Sequence, residues 1–212
     1  LNIMTFTCDR SVQGGAAIVG DPATIIIGAN NAPVNFASGS LGASSTVIFD
    51  GTSAQTLFSP GSFGHVILRN AGVKTLVTPI TVNGNLPIER GAVFNGSSYT
   101  ITLNGNWVNA GTFTPSTGTV LCAGVAKTIT GNTTFNRLTV TGSYTLLNDV
   151  TFNTLLNITS TGSLSAGGAI QTIMNGDLIN SGVLFSLGTT TFTGNTVQTL
   201  SLINAVNTVA LR

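Results

Sequence analysis

The stretch Thr46-Val47-Ile48-Phe49-Asp50-Gly51 recurs twice along the chain, as Thr119-Val120-Leu121-Cys122-Ala123-Gly124 and as Thr189-Thr190-Thr191-Phe192-Thr193-Gly194. The closing glycines of the three copies are 73 and 70 residues apart. After a small polar turn, each copy continues with a tripeptide of the form Gln/Lys-Thr-Leu/Ile, at positions 55–57, 127–129 and 198–200. Self-similarity at such a period is the sequence signature of a repeat protein.

The agreement between copies extends well beyond this stretch. Apolar residues recur at the same offsets, as Phe63, Phe135 and Val206, then Val66, Leu138 and Val209, then Leu68, Val140 and Leu211. Residues 104–111 also match residues 175–182 in the order Asn-Gly, polar, two apolar, Asn, small, Gly. We therefore divide the chain into an N-terminal segment (1–41), which is either the end of a preceding repeat or a separate element, unit 1 (42–117), unit 2 (118–188) and a partial unit 3 (189–212).

Composition indicates a folded chain with an unusual surface. Charged residues make up 6% of the 212 positions and hydrophobic residues 42%, whereas an average soluble domain has roughly 25% charged residues. Disordered chains combine low hydrophobicity with high charge, and this chain has neither. We expect it to fold with a surface solvated by hydroxyl and amide groups.

The secondary-structure pattern is that of short strands. Apolar and polar residues alternate, as in Thr100-Ile101-Thr102-Leu103, and this period of two is typical of β-structure. One unit holds around ten such strands, more than the seven longer strands that a two-sheet sandwich builds from about 100 residues. We predict an all-β solenoid (β-helix) with coils of roughly 20–24 residues and asparagine ladders at its turns, about nine coils and ~40 Å long. Tandem small β-sandwich domains are the alternative.

The charge distribution and hydropathy exclude two classes of partner. The net charge is +1, and the seven Lys and Arg residues never form a run, so we predict no nucleic-acid partner. Mean hydropathy is +0.42, but Gly, Asn, Thr, Ser or Pro interrupts every long uncharged stretch. A spanning helix needs about 20 predominantly apolar residues, and we therefore predict no membrane span.

The two cysteines, Cys8 and Cys122, are far apart in sequence. Cys122 occupies a strand position where the other copies have an aromatic residue, which predicts a buried free thiol. A small disulfide-stabilised domain has more cysteines, and we expect two free thiols. The chain begins at Leu1 rather than Met and shows no signal peptide, which is expected of a processed product or of a fragment.

Three phrases carry a resemblance to a known family: Gly111-Thr-Phe-Thr-Pro-Ser-Thr-Gly-Thr-Val120, Lys127-Thr-Ile-Thr-Gly131 and Thr134-Phe-Asn-Arg-Leu-Thr-Val140. They resemble the repeats of giant surface proteins of Bacteroidota, including gliding-motility adhesins and other cargo of the type IX secretion route. The resemblance covers residues 42–212. It implies export, an extracellular location at the bacterial cell surface, and a role in adhesion or in spacing a binding tip from the cell.

Ionisable side chains are scarce, which argues against catalysis. The six acids are Asp9, Asp21, Asp50, Glu89, Asp149 and Asp177. We interpret them as isolated turn carboxylates, although a carbohydrate-active β-helix enzyme would bring several acids and basic residues into one cleft. His65, the single histidine, has no ligand partner near it in sequence and is expected to face outward. We predict no catalytic, cofactor-binding or metal-ligating residue.

Threonines and aromatic residues suggest a third possibility, an ice- or carbohydrate-binding module. Thr-x-Thr pairs begin at positions 100, 112, 128, 139 and 191. Their uneven spacing predicts that they do not share one face, and the β-propensity of threonine explains them. Trp107, Tyr99 and Tyr144 would stack on sugars if exposed, but Trp107 aligns with Leu178 and is expected to be buried.

Taken together, these patterns favour a structural or adhesive segment of an elongated bacterial cell-surface or secreted repeat protein, without catalysis. Its expected partners are neighbouring repeats of the same longer chain and either surface polysaccharide or other cell-surface proteins.

Overall fold

The computed structural model describes residues 4–8, 13–14, 23–28, 35–36, 42–58 and 61–203, with side chains described for 23–28, 42–58 and 61–203. Every regular element in these ranges is a β-strand. In chain order the strands are β1 Met4–Cys8, β2 Gln13–Gly14, β3 Ala23–Ile27, β4 Asn35–Phe36, β5 Thr46–Phe49, β6 Gln55–Leu57, β7 Ser62–Phe63, β8 His65–Leu68, β9 Val73–Leu76, β10 Ile80–Val82, β11 Leu86–Ile88, β12 Val93–Asn95, β13 Thr100–Leu103, β14 Trp107–Asn109, β15 Thr112–Thr114, β16 Thr119–Cys122, β17 Lys127–Thr130, β18 Thr133–Val140, β19 Ser143–Leu146, β20 Val150–Ile158, β21 Ser163–Ala166, β22 Gln171–Met174, β23 Asp177–Asn180, β24 Val183–Leu184, β25 Thr189–Phe192 and β26 Leu200–Leu202.

The strands coil into a parallel β-solenoid of about nine turns, as predicted. From β5 onward each coil visits three faces in a fixed order. Face 1 is formed by β5, β8, β11, β14, β17, β19, β21 and β24. Face 2 is formed by β6, β9, β12 and β15, then by the first halves of β18 and β20, then by β22 and β25. Face 3 is formed by β7, β10, β13 and β16, the second halves of β18 and β20, β23 and β26.

Coil length varies more than the sequence indicates. Paired residues on face 1 are 17 positions apart at Ile129↔Leu146 and 22 apart at Trp107↔Ile129, against the expected 20–24. All pairings are parallel, whereas the strands of β-sandwich domains are antiparallel. The alternative of tandem sandwiches is therefore wrong. Consecutive coils are ~4.8 Å apart, the separation of hydrogen-bonded strands.

The core consists of columns of side chains that run along the solenoid axis. On face 3 the inward column is Phe63, Val82, Leu103, Cys122, Val140 and Ile158. On face 2, Phe94, Phe113, Phe135 and Phe152 form a row with neighbouring ring centroids 5.5–6.1 Å apart. The buried residues form one continuous cluster across units 1 and 2. Removal of this apolar surface from water is the main force that holds the coils together.

The sequence repeat and the structural coil have different periods. The three copies of the opening stretch are β5 on face 1, β16 on face 3 and β25 on face 2. Each copy lies eleven strand segments after the one before it. From β5 to β16 this is the difference in strand number. From β16 to β25 the strand numbers differ by nine, and β18 and β20 each add one segment because each spans two faces. One sequence unit is therefore three and two-thirds coils, and successive copies lie on different faces.

The repeated sequence encodes a corner rather than a face. In the first copy the Gln55 amide accepts from the N–H of Gly51 (3.0 Å) and donates to the carbonyl of Ile27 (2.8 Å). In the third copy Gln198 makes the same bonds, to Gly194 (3.2 Å) and to Met174 (2.8 Å). The second copy has Lys127 at this position.

In that second copy a tyrosine supplies the missing bonds. The Tyr144 hydroxyl accepts from the N–H of Gly124 (3.3 Å) and donates to the carbonyl of Leu103 (2.8 Å). The three corners therefore have equivalent hydrogen bonding, although they lie between different pairs of faces. Buried backbone groups at a turn need hydrogen-bond partners, which explains why each corner has a side chain that bonds to them.

The predicted asparagine ladders are present. The Asn104 amide donates to the Asn83 amide oxygen (3.0 Å), and Asn175 donates to Asn153 (3.1 Å), in each case across one coil. Asn106 accepts from the N–H of Thr128 (2.9 Å) in the next coil. These side-chain bonds link successive coils in addition to the strand ladders.

Candidate functional site

The first candidate site is a cluster of charged residues that follow the face 1 strands. Asp50, Arg69 and Glu89 occupy equivalent positions in three successive coils. The Arg69 Nε atom lies 3.7 Å from Asp50 Oδ1 and 3.4 Å from Glu89 Oε2. Two acids thus converge on one corner, which sequence reasoning did not predict. Their side chains are 32% and 45% exposed, and we call this group the ionic corner.

A buried lysine lies beneath the ionic corner. Lys74 is fully buried, and its Nζ atom donates to the carbonyl oxygens of Gly51 (2.8 Å), Asn70 (3.1 Å), Ala71 (3.1 Å) and Gly72 (3.2 Å). Burial lowers the pKa of Lys74, and the charge of Asp50 offsets part of that decrease. Because its donors point into a closed cage of carbonyls, this ammonium stabilises the turn and is not available to a substrate.

The remaining described acids bind backbone groups of the next coil. Asp149 Oδ1 accepts from the N–H of Gln171 (2.8 Å), and Asp177 Oδ1 accepts from the N–H of Thr199 (2.7 Å). Asp149 lies five coils from Asp50, ~24 Å along the axis. The four described acids therefore do not form one cluster, whereas Asp9 and Asp21 lie outside the described residues.

The other residues that the sequence singled out have structural environments. His65 faces outward on β8, as predicted, and its Nδ1 accepts from the N–H of Asn85 (3.0 Å). Trp107 is fully buried, as predicted, and Tyr144 is buried as well. Tyr99 packs against the core. Within the described residues, therefore, none of these three rings is a fully exposed platform for a sugar.

Cys122 is a buried free thiol, which confirms that prediction, while the side chain of Cys8 lies outside the described residues. Burial raises the pKa of the Cys122 thiol and also that of the Tyr144 hydroxyl beside it. A thiol that resists ionisation is a poor nucleophile and a poor metal ligand.

A metal-binding cluster and a membrane-spanning helix are both lacking among the described residues. No group of three or more His, Cys, Asp or Glu side chains there is arranged to hold a metal ion. In the same ranges the chain has no helix of the length and hydropathy that crossing a membrane requires.

The Thr-x-Thr pairs lie on all three faces, as their uneven spacing predicted. Those at positions 112 and 191 begin on face 2, those at 100 and 139 on face 3, and that at 128 on face 1. The motif itself therefore builds no single threonine surface.

A regular surface is nevertheless present, and sequence reasoning missed it. From β9 to β25 the outward residues at the centre of face 2 are all β-branched: Val73, Val93, Thr112, Thr134, Thr151, Ile173 and Thr191. Strand pairing aligns them within two groups of coils, β9 to β15 and β18 to β25, and the tilted ring contact between Phe113 and Phe135 connects the groups. We call this column the face 2 ladder.

A second column runs beside the face 2 ladder, two residues further along each strand. It consists of Thr56, Thr75, Asn95, Thr114, Asn136, Asn153, Asn175 and Thr193. No outward residue of either column is charged or aromatic. Face 2 thus presents a neutral array of methyl, hydroxyl and amide groups.

A local motif encodes this surface. A β-branched residue, an inward phenylalanine and Thr or Asn follow one another in the tripeptides at positions 93–95, 112–114, 134–136, 151–153 and 191–193. The tripeptides are 17 to 40 residues apart and do not follow the longer repeat. The phenylalanine, rather than the threonine, is the signal that would have revealed the aligned surface.

Comparison of the chain with protein-family models, with curated proteins and with solved structures gives no match.

Proposed function

We propose that this chain is a rod-like structural or adhesive segment of an extended bacterial surface protein and catalyses no reaction. One observation carries the proposal: each of the four described acids, Asp50, Glu89, Asp149 and Asp177, contacts a group in a neighbouring coil. These side chains stabilise the stacking of coils, and the core runs continuously along the axis.

The resemblance of residues 42–212 to Bacteroidota surface repeats supports an extracellular location. In this proposal neighbouring repeats of a longer chain continue the rod, and the ligands are surface polysaccharides or other cell-surface proteins. The scarcity of charged residues in the whole chain, 6% of its positions, is compatible with such contacts, because it imposes no charge on the partner.

The location and the adhesive role are tested in the organism that encodes the chain. An antibody raised against residues 42–203 is expected to label intact cells, and deletion of the coding region is expected to reduce their attachment to a solid surface. Labelling that requires permeabilised cells, or attachment unchanged by the deletion, would contradict the proposal.

The absence of catalysis needs its own test, because Asp50 and Glu89 share Arg69. Paired carboxylates within several ångströms of one another are the catalytic groups of glycosidases. Incubation of the purified chain with a panel of polysaccharides is expected to release no reducing ends or unsaturated products. Cleavage that disappears in Asp50→Asn/Glu89→Gln, but not in the control Asp149→Asn, would assign the ionic corner as an active site.

A further inference from the structure

The face 2 ladder has the properties of a surface that orders water. Its four threonine hydroxyls, on Thr112, Thr134, Thr151 and Thr191, make no hydrogen bond to any described residue. Val73 and Ile173 are 40% and 39% exposed. Strand pairing fixes the repeat at ~4.8 Å between coils, and the second column lies ~6.6 Å away along each strand. Methyl and hydroxyl groups along the face 2 ladder, and hydroxyl or amide groups along the second column, are thus held at constant intervals in two directions.

We infer that face 2 binds ice. A hydroxyl held rigidly in a strand ladder fixes the position of the water that it binds. A methyl group beside it excludes other water orientations. Repeated at ~4.8 Å, which is close to the oxygen repeat of hexagonal ice, these contacts hold a first layer of water in a lattice arrangement. The lack of charged side chains on face 2 favours this lattice arrangement of water, because a charged side chain orders water around itself.

Two other occupants fit the surface less well. Recognition of sugars relies on exposed aromatic rings as stacking platforms, and the outward positions of face 2 have none among the described residues. A second copy of the chain would bury roughly 450 Å² per partner over seven coils of ~4.8 Å, less than the ~800 Å² of a typical stable interface. The inference does not depend on where the chain is located.

The experiment compares two charged double variants on the same pair of strands. Thr134→Lys/Thr151→Lys places two lysines on face 2, and Thr139→Lys/Asn157→Lys places two on face 3. Both pairs are in register across β18 and β20, so the variants have the same added charge and the same repulsion between neighbours. Melting temperatures measured by circular dichroism establish that each variant is folded.

The readout is the growth and shape of a single ice crystal in a solution of the purified chain. We expect the wild-type chain to facet the crystal and halt its growth. The face 2 variant should require at least a tenfold higher concentration, and the face 3 variant less than a twofold higher one. If the lysine pair prevents folding, Thr151→Val, which keeps the methyl group and replaces the hydroxyl by a second methyl, should still weaken the effect at least twofold.

Three results would overturn the inference. The first is normal ice growth in the presence of the wild-type chain. The second is an equal loss of activity in the face 2 and face 3 variants. The third is occupancy of face 2 by another partner, seen as binding to crystalline cellulose or chitin, or as a dimer in light scattering, that the face 2 variant abolishes and the face 3 variant keeps.

Discussion

The Nζ atom of Lys74 lies 2.8 Å from the carbonyl oxygen of Gly51, one coil away, and the side chain is closed off from solvent. The same ammonium donates to three further carbonyls in the turn that begins at Asn70. A buried cation is costly unless it is fully hydrogen-bonded. No strand pairing links the two coils at this corner. The Lys74 ammonium links them instead, because it bonds to carbonyls of both coils.

Replacement of Lys74 by Met tests this role. The apolar chain would fit the cavity but leave the carbonyls unpaired, so we expect the free energy of unfolding to decrease by about 2–4 kcal/mol. The control is Lys127→Met, at a half-buried position outside this cage, which should change it by less than about 0.5 kcal/mol. Urea denaturation measures both values. Equal effects of the two substitutions would contradict a structural role for the cage.

The buried thiol of Cys122 predicts how stability responds to alkaline pH. Burial raises the pKa of Cys122 in the folded chain, while an exposed thiol in the unfolded chain has a pKa of about 8.5. Above that value the unfolded state loses a proton that the folded state keeps, so stability decreases with pH by up to about 1.4 kcal/mol per pH unit for this group. Below it the contribution is fully present.

Substitution of Cys122 by Val tests how much the thiol contributes to the pH dependence of stability. Valine fits a column whose neighbours are Leu103 and Val140, and at pH 7 we expect a change below about 1.5 kcal/mol. Between pH 9 and 11 the stability of the variant should decrease less steeply than that of the wild type. Lys74 titrates in both proteins, whereas Cys122 contributes to the raised pKa of Tyr144, so the difference between the two curves reports the thiol together with its effect on the Tyr144 hydroxyl. Parallel curves would show that the thiol ionises equally in both states.

Two glycines of neighbouring coils differ in what surrounds them. A Cβ atom on Gly84 would lie 2.6 Å from the ring of His65, so Gly84→Ala should destabilise the fold by about 1–3 kcal/mol. In a His65→Ala background the same substitution should cost less than about 0.5 kcal/mol, because the ring is gone. A Cβ atom on Gly105 would instead meet the backbone of Gly84, and His65→Ala should not rescue Gly105→Ala. A double-mutant cycle on melting curves distinguishes the two cases.

The corner glutamines test whether sequence repeats are equivalent in structure. Gln55→Leu removes the partners of the Gly51 N–H and the Ile27 carbonyl, and we expect a loss of about 2–4 kcal/mol because both groups are buried. Gln198→Leu breaks the matching bonds at a half-exposed corner, where water replaces them, and should cost about 1 kcal/mol. A larger loss for Gln198 than for Gln55, measured by urea denaturation, would contradict this assignment.

The sequence predicted the fold class because alternation of apolar residues is a local property. It also predicted the burial of Trp107 and the asparagine ladders, which depend on the same pattern. The assignment of residues to faces was not predictable, because coil lengths from 17 to 22 residues shift the register from one coil to the next. Lys74 was missed for a related reason, since a lysine between Val73 and Thr75 is ordinarily the outward residue of a strand.

The coil, and not the repeat of about 70 residues, determines which residues are neighbours. Thr102 and Leu121 pair across face 3, and Leu121 pairs in turn with Thr139. In a chain with Cys8→Ser and Cys122→Val, we predict that Thr102→Cys/Leu121→Cys forms a disulfide on mild oxidation, because paired Cα atoms lie within disulfide range. Thr102→Cys/Thr139→Cys spans two coils, ~9.6 Å, and should remain reduced. Failure of the first pair to link, with efficient linkage of the second, would contradict the account.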